Sequence, residues 1–170
     1  MHRVLVLGAG KIGALVSGLL AEAGDYQVQL ADVSGEAAAS VARAHDRRTL
    51  TTVALDGTDR AALARELEAH PVDAVISSLP FYCNVAVAQA ARDHGLHYFD
   101  LTEDVEVTRA VRAIAEGAQT AFVPQCGLAP GFISIAANEL ISHFDELRSV
   151  KLRVGALPQH PNNVLKYSLT

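Results

Sequence analysis

Cysteine is scarce in this chain of 170 residues. It occurs twice, as Cys83 and Cys126, far apart and in no C-x-x-C pair. That spacing excludes a thioredoxin-like redox motif and offers no zinc framework. So few thiols suit a reducing cytoplasm, the expected location. Long apolar runs are also missing. None reaches the ~20 residues that span a bilayer, and Val4–Leu7 is too short for the core of a secretory signal. A membrane partner is therefore not expected. Basic residues are few and scattered: 14 Lys and Arg stand against 19 Asp and Glu, and only Arg47 and Arg48 adjoin. The net charge of −5, with aromatics at 5% and not interleaved with basic residues, argues against nucleic acid. The histidines follow no H-E-x-x-H spacing, so no metal is expected. There is no repeat of solenoid period and no low-complexity stretch.

The chain is instead rich in apolar residues: 50% are hydrophobic and 19% charged, ample for a packed core. Its most informative stretch is Val4–Gly13, an apolar run followed by Gly8-Ala9-Gly10-Lys11-Ile12-Gly13. A G-x-G-x-x-G between a strand and a helix is the fingerprint of dinucleotide binding. Gly8 permits the tight turn, Gly10 lets a pyrophosphate approach the backbone, and Gly13 lets helix and strand pack closely. The helix start, with Lys11 and Ile12 in its first turn, then presents its amides to phosphate. Asp32 follows at the distance of a ribose-binding acid, with Val33 beside it. Its carboxylate can accept from both ribose hydroxyls and would repel a 2′-phosphate. No basic residue follows within Val33-Ser34-Gly35. NAD is therefore the favoured cofactor and NADP the alternative. The competing reading of Asp32 is an N-cap for the next helix.

Further along, strand and helix patterns alternate. Strands are expected at Arg3–Leu7, Tyr26–Ala31, Leu50–Leu55, Val72–Ser78, His97–Asp100 and Thr120–Val123. Between them, Ile12, Leu15, Val16, Leu19, Leu20 and Ala23 recur at helical spacing. Gly35–Ala44 reads as a second helix. Thr58 is placed to cap a third that stops before Pro71, with Asp59 in its first turn. A fourth is expected over Asn84–His94. Thr102 is placed to cap a fifth, on which Val107, Val111, Ile114 and Ala118 share a face. Ile133, Ala136, Ala137, Leu140, Ile141 and Phe144 mark a sixth. This alternation predicts an α/β fold, a doubly wound parallel Rossmann sheet over residues 1–127. Residues 128–170 read differently, as a connecting helix and the first strands of an incomplete α+β substrate and dimerisation domain. Leu147–Leu157 is the first of those strands and Val164–Leu169 starts another, with the chain stopping at Thr170. On this reading the chain alone binds cofactor with little turnover, and the Val-rich strand pairs with another copy through its open edge.

Ligands of open α/β sheets bind beyond the carboxyl ends of the strands. Ser78, Leu79 and Pro80 lie at that end of the fourth strand, where Pro80 and Phe81 can wall a nicotinamide pocket. Asp56 ends the third strand, either to reach an adenine edge or to stabilise a turn. Glu103 and Asp104 follow the fifth. One of them can bind a substrate ammonium or move a proton, and the competing role is complementing a helix dipole. Cys126 follows the sixth and completes the candidate catalytic set. A lone thiol reads more readily as a small pocket residue than as a nucleophile.

Several of these segments together resemble a known family. They are Ser78–Tyr82, Tyr98–Asp104, Pro124–Phe132, Val154–Gln159 and Leu165–Thr170, joined to the N-terminal glycine motif. The chain is similar along its length to the saccharopine dehydrogenase-like group, which includes saccharopine reductases, lysine ε-dehydrogenases and carboxynorspermidine dehydrogenases. The resemblance implies an NAD- or NADP-dependent oxidoreductase acting on a C–N bond of an amino acid derivative, and a homo-oligomer. The alternatives are a non-catalytic dinucleotide-binding module or cofactor sensor, and another two-domain Rossmann enzyme with different carbonyl chemistry.

Overall fold

The first strand, β1 (His2–Leu7), sends alternate side chains to opposite faces of a sheet, and both faces are covered. Leu5 and Leu7 enter one core with Leu63, Val75, Val87 and Val111. Val4 and Val6 enter the other with Val28, Leu30, Ala38 and Leu50. Burial on both sides is what a near-continuous apolar strand predicts. The structure is a computed structural model, and it describes residues 1–46 and 48–155. Five strands join β1: β2 (Tyr26–Asp32), β3 (Leu50–Ala54), β4 (Ala74–Ser77), β5 (His97–Asp100) and β6 (Phe122–Val123). All pair in parallel, in the order β3-β2-β1-β4-β5-β6. This is the expected doubly wound order, and it places the topological switch between β1 and β4.

Six helices complete the described elements: α1 (Lys11–Glu22), α2 (Gly35–Ala42), α3 (Arg60–Ala69), α4 (Asn84–His94), α5 (Val105–Ala115) and α6 (Phe132–Ile141). α1 corrects the sequence reading. The face it buries is the small-residue one, Gly13, Ser17, Gly18 and Ala21, whereas Ile12, Leu15 and Leu19 are exposed. Close approach decides this. A Cβ at Gly13 would stand 1.8 Å from the Gly8 carbonyl oxygen, so helix and turn meet backbone to backbone, and a face of leucines could not.

Two caps also shift by one or two residues. Asp59, not Thr58, caps α3, accepting from the N–H groups of Ala61 and Ala62 at 2.9 and 3.0 Å. Asp104, not Thr102, caps α5 by accepting from Val107 N–H at 2.8 Å. In both places two good capping residues compete, and the one whose main chain turns extended just before the helix takes the role. Val107 and Val111 are buried as expected, but α5 ends at Ala115, before Ala118. β4 and β6 are shorter than expected, and a 3₁₀ turn at Phe81–Cys83 leads into α4.

Beyond β6 the picture changes. α6 has a stripe of large apolar residues, but none of its residues is buried. The expected strand from Leu147 is not formed within the described residues. Residues 147–155 hold no ladder, and Val150, Leu152 and Val154 are all exposed. Alternation alone does not make a strand without a neighbouring strand to accept its hydrogen bonds. The continuation to Leu157 and the apolar start at Val164–Leu169 lie outside the described residues.

Candidate dinucleotide site

The glycine turn stands at the carboxyl end of β1, beside the switch point. Gly8 has a φ of 100°, a conformation that glycine adopts without the clash a Cβ brings. A Cβ there would also come 2.9 Å from the carbonyl oxygen of Ser78, at the end of β4. Gly10 is different: a Cβ built on it meets nothing within 4 Å. Gly10 is the N-cap of α1, gives it no side-chain acceptor, and the first turn contains no acid. By contrast α2, α3 and α5 are capped by Ser34, Asp59 and Asp104. α1 thus begins with no side chain accepting from its first amides, positive dipole end outward, beside the open space at Gly10. That is the geometry an anionic diphosphate fits. Lys11 and Ile12 lie exposed in this turn.

Asp32 does more than the sequence indicates. Its Oδ2 accepts from the main-chain N–H of Ala9 at 2.7 Å, and its Oδ1 from that of Ser34 at 2.8 Å. Ser34 caps α2, so Asp32 is not the cap. The carboxylate holds the glycine turn and the start of α2 together. Each oxygen keeps a lone pair for a further donor, so a pair of ribose hydroxyls still fits. Val33 projects beside it, 72% exposed.

Asp56 spends its carboxylate locally. Its Oδ1 accepts from the Thr58 hydroxyl at 2.6 Å and from Thr58 N–H at 2.9 Å. Those bonds, the hydroxyl first, hold its pKa below the usual carboxylate range. This is the turn role. Gly57 packs on Leu79, where a Cβ would stand 3.0 Å from a Leu79 methyl. Leu79 also reaches within 3.4 Å of a Cβ built on Gly8. The loops after β1, β3 and β4 therefore share one side chain.

On the other side of the switch point a cleft of about 760 Å³ lies beyond β4 and β5. Leu79, Phe81 and Asn84 form one wall and Leu101–Glu106 the other. Glu103 is exposed in it, and Asp104 turns one oxygen to cap α5. Pro80 precedes the 3₁₀ turn, and Ser78 donates its N–H to Leu7 O at 2.8 Å.

Sequence reasoning missed the group that holds this cleft in shape. The Asp100 carboxylate is fully buried. It accepts from the Tyr98 hydroxyl at 2.7 Å, Thr102 N–H at 2.9 Å and Gln125 N–H at 3.1 Å. Asp100 O accepts from Cys126 N–H at 2.7 Å. Asp100 therefore binds the loop after β5 to the loop after β6, where Gln125 has a φ of 66°. Burial, then the hydrogen bond to Asp100 and its charge, push the Tyr98 hydroxyl far above its usual range. The only available signal was an acid ending an otherwise apolar strand. Cys126 itself is exposed, with its Sγ donating to Val123 O at 3.2 Å. Partial desolvation and then Asp100 raise its pKa, so the thiol stays neutral near pH 7. That environment suits a pocket wall rather than a thiolate nucleophile.

The structure thus brings Gly8, Gly10, Gly13, Asp32, Ser78 and Leu79 to the switch point. It sets Glu103 and Asp104 in the adjoining cleft and Cys126 on the next loop, and it leaves Asp56 in its own turn.

Comparison with known proteins bears on the fold and the family. The chain superimposes on apo saccharopine dehydrogenase (L-Glu forming) from Saccharomyces cerevisiae with a TM-score of 0.72 at 24% identity, over 84% of this chain and 31% of that one. A myo-inositol dehydrogenase from Corynebacterium glutamicum gives 0.61 at 23% identity, over 84% of this chain and 41% of the other. The WlbA dehydrogenase of Chromobacterium violaceum, solved with NADH and UDP-GlcNAcA, gives 0.57 at 19%, over 72% and 34%. At such identities these likenesses establish the fold, and the chain spans well under half the length of each of these proteins. The model of the saccharopine dehydrogenase NADP binding domain matches residues 4–123, most of the chain. This chain belongs to that family.

Proposed function

We propose that this chain is the nucleotide-binding part of a nicotinamide-dependent oxidoreductase acting on a C–N bond of an amino acid derivative. The observation that carries the reading is the uncapped start of α1 over Gly10, with Asp32 holding the same turn. A bound nicotinamide supplies the hydride acceptor or donor. The chain's own residues bind and orient. The amides of the first turn of α1 hold the diphosphate, and Asp32 receives the adenosine ribose. Its charge favours NAD over NADP. Leu79, Pro80 and Phe81 wall the ring and exclude water from it. Glu103, exposed in the cleft, pairs with a substrate ammonium or takes the proton that leaves nitrogen. Asp104 adds negative charge there while capping α5. Cys126 lines the same end of the sheet as a neutral thiol.

The domain boundary in this reading falls near residue 127, where α6 leads toward a substrate and dimerisation domain. The exposed apolar face of α6 supports that placement, and the reading includes a homo-oligomer. The partner is a small amino acid derivative. The test has two parts. Calorimetric titration with NADH and NADPH examines cofactor binding, and assays of the whole protein against a panel of amino acids examine the C–N chemistry. Binding without turnover of any amine would remove the second half and leave the first.

A further inference from the structure

Asn84 is the first residue of α4 and is 1% exposed. Its Oδ1 accepts from the Ser77 hydroxyl at 2.7 Å. Its carbonyl oxygen lies 3.3 Å from the Tyr98 hydroxyl, whose stronger contact is Asp100 at 2.7 Å. Side chain and main chain are therefore both positioned by buried neighbours at the ends of β4 and β5. The remaining group is the amide nitrogen, Nδ2. It has no acceptor among the described residues. It is not sealed in either, because Ser17 Oγ is the one fully enclosed side-chain polar atom without a partner among those residues. The sliver of Asn84 still accessible includes that nitrogen, and Asn84 lines the 760 Å³ cleft. A buried amide that keeps two unused donors at a cleft wall carries a desolvation cost that a ligand acceptor would remove.

The strand order indicates which ligand atoms reach it. Asp32 ends β2 and marks the adenosine side of the glycine turn. β4 and β5 lie on the other side of β1, so a dinucleotide that crosses the switch point lays its second half over them. Glu103, Asp104 and Glu106 line the same cleft. Their charge disfavours a phosphate or carboxylate there and tolerates the neutral carboxamide that both redox states of the cofactor carry.

We infer that the Asn84 side-chain amide donates a hydrogen bond to an acceptor oxygen on the nicotinamide half of the bound cofactor. This rests on the proposed dinucleotide site. The experiment titrates the whole chain with NADH and, separately, with ADP-ribose, which keeps the adenosine and diphosphate but lacks the nicotinamide. Wild type, Asn84→Ala and Asn84→Asp are compared, and melting temperatures check the fold. Asn84→Asp retains an acceptor for Ser77 and replaces the donor with an acceptor. The expected result is a roughly three- to tenfold weaker NADH affinity in Asn84→Ala. The loss in Asn84→Asp is about tenfold or more, and ADP-ribose affinity is unchanged in both. Unchanged NADH affinity in folded Asn84→Asp, or equal losses for the two compounds, overturns the inference while the dinucleotide site stands. A wild-type chain that binds neither compound removes the dinucleotide site and this inference with it.

Discussion

The carboxylate of Asp32 accepts the main-chain N–H of Ala9 at 2.7 Å, across 23 residues of sequence. The acid at the end of β2 thus builds the glycine turn, and it is the same residue to which the proposed function gives the adenosine ribose. Substitution at this residue has two effects, and they can be separated. We expect NADH to bind more tightly than NADPH in the wild type. In Asp32→Ala the discrimination should vanish, because the repulsion and the ribose acceptors go together. The same variant should lose about 1–3 kcal/mol of stability as two backbone donors lose a charged acceptor. Titration with both cofactors and denaturant unfolding read the two effects independently. Preference of the wild type for NADPH would end the assignment.

Gly10 and Gly13 should respond in opposite ways. A side chain at Gly10 enters open space at ordinary backbone angles. Gly10→Val should therefore fold at close to the wild-type melting temperature and lose dinucleotide binding. Gly13→Ala places a Cβ against the Gly8 carbonyl and should destabilise the fold by at least the ~1–3 kcal/mol typical of overpacking. Normal cofactor binding by folded Gly10→Val would contradict the fingerprint assignment.

Asp100 is expected to be among the most sensitive positions in the described structure. Asp100→Ala leaves the Tyr98 hydroxyl and the Thr102 and Gln125 amides without their acceptor. A loss of roughly 3–5 kcal/mol follows from leaving three neutral donors without an acceptor, at about 1–3 kcal/mol for each that stays buried. Chemical denaturation measures it. A loss below about 1 kcal/mol would mean that the two loops are held by something else.

Stability should fall on the alkaline side. Tyr98, Cys83 and Cys126 all have raised pKa values, from burial first and from Asp100 or Asp56 second. Below the ordinary thiol and phenol range both folded and unfolded chains hold these protons. Above it the unfolded chain releases them and the folded chain keeps them, so the unfolded state binds fewer protons and stability drops as pH rises. Unfolding monitored from pH 7 to pH about 11 should show this decline, beginning near pH 8.5–9 where free thiols titrate. Tyr98→Phe should flatten its upper part. A stability that is level across that range would show that the three groups ionise without cost.

Much of the fold was legible in order along the chain. Val4–Leu7 followed by Gly8, Gly10 and Gly13 specified strand, turn and helix, because each residue type answers a local steric or solvation demand. The alternation of short apolar runs with helical patterns then implied a parallel sheet, and right-handed crossovers left one sensible order. The sheet has that order. Asp32 was legible as well, through its spacing from the turn. What escaped was every role that depends on a neighbour distant in sequence. The buried side of α1 could not be read from its leucines, because the approach of Gly13 to Gly8 decides which face turns inward. Asp59 and Asp104 displaced nearby Thr58 and Thr102 as caps through main-chain geometry that composition does not carry. Asp100 gave only the weak signal of an acid ending a strand, since Gln125 meets it only once β5 and β6 lie side by side, and Asn84 gave none, its partner Ser77 being met through the turn from β4 into α4. The Val150–Val154 alternation promised a strand that forms no ladder among the described residues, because a strand is a property of a pair. Local chemistry determined the elements and the glycine turn. The tertiary structure decided which polar groups are buried, which donors remain free, and hence where a ligand can be held.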